Sequence, residues 1–362
     1  MPGSSTYNSK TAVNLVHLNS SPGGIEVLLP GIIQAFDDID FSVFVIRKKP
    51  DTLPSVYDGL DVKVNYGSVN NFIAIVRLIG YTIKRRNEIF HVFNIGPLFL
   101  LFMRLAGVRR LIYSIHGTIY WHNRFEKTSR LLLWRLAINS RRLIFTANSE
   151  YSREMFRKQI SYGIKCEVLY NYIDQTRFTA ITRVNLNDPV KRIIYAGRLA
   201  AGKGLERWIN LALKIHQVMP ELVFMIYGEG QLRTALTNMI ECAGAKDFIK
   251  MMGYSSEMEQ VYREADLLLF LSEYESFGNV VVESILCGTP VLVSDIPGLK
   301  EILSDFPEFV LTSRSDTATE ILNKLENMRF LRERTAVARN IMSERFSSGR
   351  HFKALASLYE RV

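Results

Sequence analysis

Short apolar runs and longer amphipathic stretches alternate along the chain. Six runs in its first half, rich in β-branched residues, predict strands: AVNLVHL (12–18), FSVFVI (41–46), IFHVFN (89–94), LIYSIHG (111–117), LIFTANS (143–149) and KCEVLYN (165–171). Between them, helical patterns cover residues 23–36, which open on a glycine turn, and residues 72–87. Alternation of this kind predicts a parallel sheet with helices on both faces.

A second block with the same alternation follows a polar, proline-closed segment. Residues 176–189 (TRFTAITRVNLNDP) therefore predict a linker between two domains, 1–175 and 190–345. After it, LERWINLALKIHQV (205–218) predicts a helix, and the predicted strands are KRIIYAG, LVFMIYG, FIKMMG, DLLLFLS, PVLVSD and EFVLT. We expect an α/β protein of two doubly wound domains that face each other. Ligands of such sheets bind beyond the carboxyl ends of the strands, so the shared crevice is the expected site.

The excess of positive charge is confined to the first half of the chain. Residues 1–175 hold 22 Lys and Arg against 13 Asp and Glu, a difference of +9, whereas residues 176–362 hold 23 of each. The excess indicates an anionic partner of the first domain, such as lipid headgroups, a phosphorylated acceptor or nucleic acid, unless it is a random surface bias. No nucleic-acid recognition motif supports the third option.

The cysteines and the apolar runs indicate a cytoplasmic location. Cys166, Cys242 and Cys287 lie far apart without a C-x-x-C pair, so neither a disulfide framework nor a zinc site is expected. The longest apolar run, IGPLFLLFM (95–103), is too short to cross a bilayer, and the polar N-terminus lacks an apolar signal core.

A glycine-rich loop, YAGRLAAGKG (195–204), joins a predicted strand to a predicted helix. Gly197, Gly202 and Lys203 match most of the P-loop pattern, but Gly204 stands where Ser or Thr should supply a hydroxyl to magnesium. Loop amides and a helix N-terminus favour an anion at this place. With Arg198 and Lys203 as two nearby cations, the loop predicts a diphosphate site that needs no metal, with a P-loop as the alternative.

The segment DLLLFLSEYESFGNVVVESILCGTPV carries two glutamates, Glu275 and Glu283, with seven residues between them. This pattern resembles the E-x7-E motif of retaining family 4 glycosyltransferases with the GT-B fold. The resemblance covers nearly the whole chain, and its further matches are Gly23-Gly24 with Glu26, His116-Gly117, Asn171 with Asp174 and Phe178, Gly197-Arg198, Lys203-Gly204, Gly228 and Gly230, Gly253-Tyr254, Gly288-Thr289-Pro290 and Glu301.

The resemblance implies a GT-B architecture of two Rossmann-like domains facing across a cleft, with the terminal helix 346–362 crossing back to the first domain. It implies transfer of a sugar from a nucleoside diphosphate sugar, with retention of anomeric configuration. We expect a UDP-sugar as donor, with a GDP-sugar as the alternative. The expected acceptor is a lipid-linked or polysaccharide hydroxyl in the synthesis of a cell-surface glycan such as lipopolysaccharide, O-antigen or capsule.

Physical chemistry and the resemblance together assign roles at the donor site. Arg198 and Lys203 would neutralise the departing diphosphate, assisted by amides at the predicted helix start, namely those of Phe277, Gly278, Asn279 and Val280. Glu283, expected in the first helical turn, would accept hydrogen bonds from the donor ribose, and Glu275 from the donor sugar. Their alternatives are helix capping and a solvated loop charge, respectively.

The remaining site residues follow from the resemblance. His116, at a strand end, would lie over the donor sugar, and Gly23 and Gly24 would let the first helix N-terminus approach the diphosphate. Tyr254 would line the base pocket or pack structurally. No cofactor and no metal are expected, because the acidic stretch DDID (37–40) falls in a turn between a helix and a strand.

The helical pattern at 72–87 combines apolar residues with cations. Arg77, Lys84, Arg85 and Arg86 would bind an anionic membrane surface or a lipid-linked acceptor, which predicts a peripheral protein on the cytoplasmic face. The alternative is a helix that packs on the sheet and leaves its charged tip in solvent.

Two other functions use the same scaffold. A nucleotide-sugar epimerase would need a differently populated cleft, and a phosphorylase would need a pyridoxal-phosphate lysine and a longer chain. A non-catalytic nucleotide-sugar-binding partner is the third alternative, which the presence of Arg198, Lys203, Glu275 and Glu283 disfavours.

Overall fold

The chain divides into two compact units. In the computed structural model, residues 10–19, 23–47, 56–117, 124–138, 143–180, 186–312 and 317–362 are described. The N-terminal unit comprises Met1–Leu169 together with Phe352–Val362, and the C-terminal unit comprises Tyr170–His351. The chain therefore passes between the units at residues 169–170 and 351–352, near the predicted boundaries.

The sheet of the N-terminal unit has seven parallel strands. They are β1 Thr11–Asn19, β2 Ile39–Arg47, β3 Lys63–Tyr66, β4 Ile89–Phe93, β5 Arg110–Ile115, β6 Leu143–Ala147 and β7 Cys166–Val168. Their order is β3-β2-β1-β4-β5-β6-β7, so the strand order reverses between β1 and β4. Of the seven, only β3 has no counterpart in the sequence prediction, because its residues are half-exposed and lack an apolar run.

Among the described residues, six helices belong wholly or partly to this unit. They are α1 Leu29–Gln34, α2 Asn71–Arg85, α3 Pro97–Leu105, α4 Arg124–Ile138, α5 Glu150–Gln159 and the last helix of the chain, α13 Ser348–Arg361. The unit boundary falls inside α13. The start of α2 is set by Asn70, whose side-chain oxygen accepts hydrogen bonds from the amides of Phe72 and Ile73.

The first helix is shorter than predicted. Residues 24–28 form turns, and α1 begins only at Leu29 with Pro30 in its first turn. Proline is common in the first turn of a helix, because its φ already has a helical value and no N–H is needed there for a hydrogen bond within the helix. The helix predicted within residues 23–36, after a glycine turn, is thus present, but its bounds were predicted too wide.

The C-terminal unit contains six parallel strands in the order β10-β9-β8-β11-β12-β13. The strands are β8 Arg192–Ala196, β9 Val223–Tyr227, β10 Ile249–Gly253, β11 Leu267–Phe270, β12 Val291–Ser294 and β13 Val310–Leu311. The helices are α6 Leu205–Val218, α7 Arg233–Cys242, α8 Met258–Glu264, α9 Asn279–Leu286, α10 Pro297–Ile302, α11 Thr317–Glu326 and α12 Met328–Arg345, with a 3₁₀ turn at Pro307–Phe309. Strand order reverses between β8 and β11.

Helix α6 has the bounds that its sequence pattern predicts. Its apolar face is buried against the sheet, where Trp208 is fully enclosed and donates its ring N–H to the carbonyl of Leu269 at 3.0 Å. Burial of such a face, rather than helix propensity, supplies most of the stability of a helix of this length. The packing holds the preceding glycine loop against the end of β11.

The described part of the predicted linker packs on the C-terminal unit. Phe178 is buried, and the Arg263 guanidinium donates hydrogen bonds of 2.8 Å to the carbonyls of Arg177 and Thr179. These contacts assign residues 176–180 to that unit. Within the described ranges, no helix is long and apolar enough to span a membrane.

Candidate functional site

Two loops meet at the point where the strand order of the C-terminal sheet reverses. The first follows β8 and leads into α6; the second follows β11 and leads into α9. The Glu273 amide donates to the carbonyl of Gly202 at 2.9 Å, and the Tyr274 hydroxyl donates to the carbonyl of Ala201 at 3.3 Å. Because open α/β sheets bind ligands at such switch points, this pair of loops is the candidate site.

The conformation and surroundings of Gly204 argue against the P-loop interpretation of the glycine loop. It precedes α6 with φ +66°, a conformation that favours glycine, and a Cβ atom there would lie 2.0 Å from the carbonyl oxygen of Leu271. No side chain fits, so the Ser or Thr of a P-loop is sterically excluded. The glycine allows the two loops to touch.

Lys203 and Glu275, which were assigned to separate parts of the donor, form an ion pair with each other. Both side chains are largely buried, with 22% and 16% of their surface exposed, and the Lys203 ammonium lies 5.9 Å from the ring centre of Phe270. Arg198 is exposed, and its carbonyl accepts a 3.1 Å hydrogen bond from the Tyr195 hydroxyl. The site therefore combines two cations with one carboxylate that is partnered by Lys203.

The start of α9 presents backbone donors. Gly278 precedes the helix with φ +86°, and the first N–H groups of any α-helix have no partner within it. The Phe277 ring is buried 5.1 Å from the Phe346 ring, so only its backbone can serve a ligand. The Asn279 side-chain oxygen accepts a 2.8 Å hydrogen bond from the buried Asn171.

Glu283 lies one turn later than predicted. Since α9 begins at Asn279, the carboxylate belongs to the second turn and does not cap the helix. Its Oε2 accepts a 2.9 Å hydrogen bond from the hydroxyl of Tyr262, a fully buried residue of α8. Burial raises the pKa of Glu283 to about 7, although the Tyr262 hydrogen bond and the charge of Arg177 both lower it.

Sequence reasoning did not identify Tyr262 as part of the site. The signal was present, because Met258, Val261, Tyr262 and Ala265 repeat at helical spacing and predict a buried face. A tyrosine on such a face usually finds a partner for its hydroxyl. That the partner is Glu283, 21 residues later, follows only from the packing of α8 against α9.

The predicted site residues of the N-terminal unit lie near strand ends. His116 follows β5, with its ring tilted against Phe93 at the end of β4 and the ring centres 5.7 Å apart. The Gly23 carbonyl accepts a 3.2 Å hydrogen bond from the Val27 amide. Gly24 lies five residues before α1, so the expectation that it brings a helix N-terminus to the diphosphate is wrong.

Helix α2 presents an apolar stripe between cations. The exposed members of this stripe are Phe72, Ile73, Val76 and Ile83, of which Phe72 is 74% exposed. Arg77 donates to the carbonyl of Gly67 at 2.7 Å, and the Arg85 guanidinium stacks 4.3 Å from the Tyr81 ring centre. Lys84 and Arg86 are exposed, whereas Arg85 is half-buried.

Tyr254 follows β10 in the C-terminal unit and is 43% exposed. Its role at the donor base stays a prediction.

Two family models match consecutive parts of the chain. Residues 22–177 match Glycosyltransferase Family 4, and residues 177–341 match Glycosyl transferases group 1. Alpha-D-kanosaminyltransferase of Streptomyces kanamyceticus is 26% identical over 288 residues, which cover 72% of this chain and 73% of that protein. The N-acetylgalactosamine-N,N'-diacetylbacillosaminyl-diphospho-undecaprenol 4-alpha-N-acetylgalactosaminyltransferase of Campylobacter jejuni is 29% identical over 219 residues, which cover 59% and 57%.

For several other curated relatives, the chain spans less than half of their length. Among solved structures, Anabaena Alr3699/HepE in complex with UDP-glucose superimposes on this chain with a TM-score of 0.79 at 18% sequence identity. The match covers 97% of this chain and 100% of the HepE chain. Two parallel-sheet units, a strand-order reversal in each and these matches lead to one conclusion: the chain belongs to the family 4 type of glycosyltransferases with the GT-B fold.

Proposed function

We propose that this glycosyltransferase is a retaining enzyme that needs no metal and moves a sugar from a UDP-sugar to a hydroxyl of a lipid-linked or polysaccharide acceptor in cell-surface glycan synthesis. The observation that carries the proposal is the meeting of Lys203, Glu275 and the start of α9 at the switch point of the C-terminal sheet. The relatives support the details, since one is solved with UDP-glucose and another is named for an undecaprenyl-diphosphate-linked substrate.

Lys203 and Arg198 would neutralise the negative charge that develops on the departing diphosphate. A diphosphate bears more charge than the Glu275 carboxylate, so it can replace that carboxylate as the partner of Lys203. Glu275 would then accept a hydrogen bond from a hydroxyl of the donor sugar. The N–H groups at the start of α9 add preorganised donors, and such electrostatic stabilisation is usually the largest contribution to catalysis.

The reaction would proceed on one face of the sugar. The bond between the anomeric carbon and the diphosphate oxygen breaks, the acceptor oxygen bonds to the same face of that carbon, and its proton passes to the departing phosphate oxygen. Glu275, released from Lys203 by the diphosphate, and His116 would position the sugar rather than attack it. Glu283 would hold the ribose, Gly23 and Gly24 would lie beside the donor, and Tyr254 would lie at the base.

Removal of the cations tests this assignment. In Lys203→Ala and Arg198→Ala, we expect transfer to fall by more than about tenfold, which corresponds to about 1.4 kcal/mol of barrier. Lys246→Ala is the matched control, because Lys246 pairs with Glu241 at 2.8 Å on the surface of the same unit. Released UDP and glycosylated product are measured together, and the anomeric configuration of the product by NMR. Transfer within tenfold of wild type in both variants would disprove charge neutralisation by this pair.

The apolar stripe of α2 supports a membrane-facing acceptor side. Phe72, Val76 and Ile83 would enter the interfacial region of the bilayer, while Arg77, Lys84 and Arg86 would meet anionic headgroups. Arg85 would contribute less, since its guanidinium stacks on Tyr81. This arrangement would place the enzyme on the cytoplasmic face, where a lipid-linked acceptor is reached in the plane of the membrane.

A further inference from the structure

One buried tyrosine contacts a donor-site carboxylate directly. Tyr262 has no exposed surface, and its hydroxyl lies 2.9 Å from Oε2 of Glu283. Its ring packs against Phe178 with the ring centres 6.1 Å apart, and its backbone carbonyl accepts a hydrogen bond from the Thr289 hydroxyl. The ring packing and the backbone hydrogen bond together hold the residue in place.

The direction of this hydrogen bond is set by chemistry. Burial and the neighbouring carboxylate raise the pKa of Tyr262 well above its usual value, so the phenol keeps its proton and donates it. A carboxylate has two oxygens, and the bond occupies Oε2. The other oxygen, Oε1, stays available as an acceptor on a half-buried side chain.

We propose that Tyr262 is a positioning residue that fixes the Glu283 carboxylate for the donor ribose, holding Oε2 so that Oε1 accepts from a ribose hydroxyl. This inference rests on the proposed function, which assigns Glu283 to the ribose. It adds that the phenol favours the charged, accepting form of Glu283. A protonated carboxyl group would be a weaker acceptor of the hydrogen bond from the ribose hydroxyl.

In the described part of the chain, charged and titratable groups from three elements surround Glu283. Helix α8 contributes Tyr262 and Glu259. Arg177, in the segment before β8, pairs with Glu259 at 2.7 Å. The Cys287 thiol lies one turn further along the chain from Glu283. Tyr262 and Arg177 favour the carboxylate, whereas burial and Glu259 oppose it. Loss of the Tyr262 hydroxyl removes one of the two favourable interactions.

The experiment measures the affinity for UDP-glucose by calorimetry between pH 5.5 and 8.5. If the protein is stabilised against thermal unfolding more by GDP than by UDP, GDP-glucose is used instead. These probes carry no phosphate that titrates in this range. We expect wild-type affinity to rise through neutral pH, and Tyr262→Phe to move the midpoint upward by about one pH unit and weaken binding about tenfold at pH 7. Glu283→Gln should bind weakly and without this pH dependence.

A matched control separates positioning from folding. Tyr113→Phe removes another buried phenol hydroxyl, one that donates to the carbonyl of Ile95 in the N-terminal unit, and should leave the pH profile unchanged. If Tyr262→Phe keeps the wild-type midpoint while Glu283→Gln weakens binding, the inference fails and the proposed function stands. If Glu283→Gln binds as wild type at every pH, the ribose assignment fails, and the inference fails with it.

Discussion

At the scale of single residues, a glycine separates this site from a nucleoside-triphosphate P-loop. Gly204 allows Leu271 of the neighbouring loop to approach so closely that no hydroxyl-bearing side chain fits. What resembles a defective magnesium site in the sequence is therefore a contact between two loops. Lys203, adjacent to that glycine, forms its ion pair with Glu275 of the neighbouring loop.

Gly204→Ala should destabilise the C-terminal unit more than an ordinary left-handed glycine does. Gly244 has a similar φ, +64°, but open space around its Cβ position, so Gly244→Ala measures the conformational cost alone, about 1–2 kcal/mol. The collision with the Leu271 carbonyl should add roughly 2 kcal/mol, the usual range of overpacking. Denaturant unfolding of both variants measures the difference, and equal losses would contradict the close contact.

At the scale of elements, α2 differs from an ordinary helix that covers a sheet. Its buried side packs through Ala74, Leu78 and Tyr81, yet its outer side is also apolar. Large exposed apolar patches rimmed by charge usually mark a binding surface. The cations by themselves, which first suggested a membrane partner, are thus only the border of the surface.

Vesicle binding separates the two contributions of α2. Phe72→Ser with Val76→Ser should weaken binding to phosphatidylglycerol vesicles by about a hundredfold or more, since each buried apolar side chain contributes about 1.5–3 kcal/mol. Lys84→Gln with Arg86→Gln should weaken it less and reduce its dependence on salt, at about 1 kcal/mol per cation. Val218→Ser, an exposed position on α6, is the control. Absence of wild-type binding at low salt would eliminate the membrane partner.

At the scale of the whole molecule, both units repeat one plan: a parallel sheet whose strand order reverses once. In the C-terminal unit, β8 and β11 are the two strands beside the reversal. The loop after β8 contains Arg198 and Lys203, and the loop after β11 contains Glu275 and leads into α9, which contains Glu283. A ligand bound there should stabilise this unit without any contribution from a metal.

Thermal unfolding with nucleotides checks the donor and the metal together. UDP at 100 times its dissociation constant should stabilise the protein by about 2.7 kcal/mol, and EDTA should leave the shift unchanged. GDP serves as the comparison. A larger shift with GDP would change the assigned base, and a shift abolished by EDTA would contradict metal independence.

The amino-acid sequence by itself determined the two-block architecture and the bounds of elements such as α6. A helix or strand that buries one face needs apolar residues at its own period, so this periodicity can be read from a short stretch of sequence. Periodicity missed the half-exposed strand β3, where this information is weak, and it predicted α1 with bounds that are too wide. The resemblance in motifs identified the family, which the matches over residues 22–341 confirmed.

Only the tertiary structure decided which site groups meet. Lys203 and Glu275 are 72 residues apart, and Tyr262 and Glu283 are 21 apart, so neither pair follows from any local period. Strand order brings the first pair together, and packing of α8 on α9 brings the second. The ionisation of Glu283 likewise depends on burial and on neighbours from other elements, which a sequence does not specify one residue at a time.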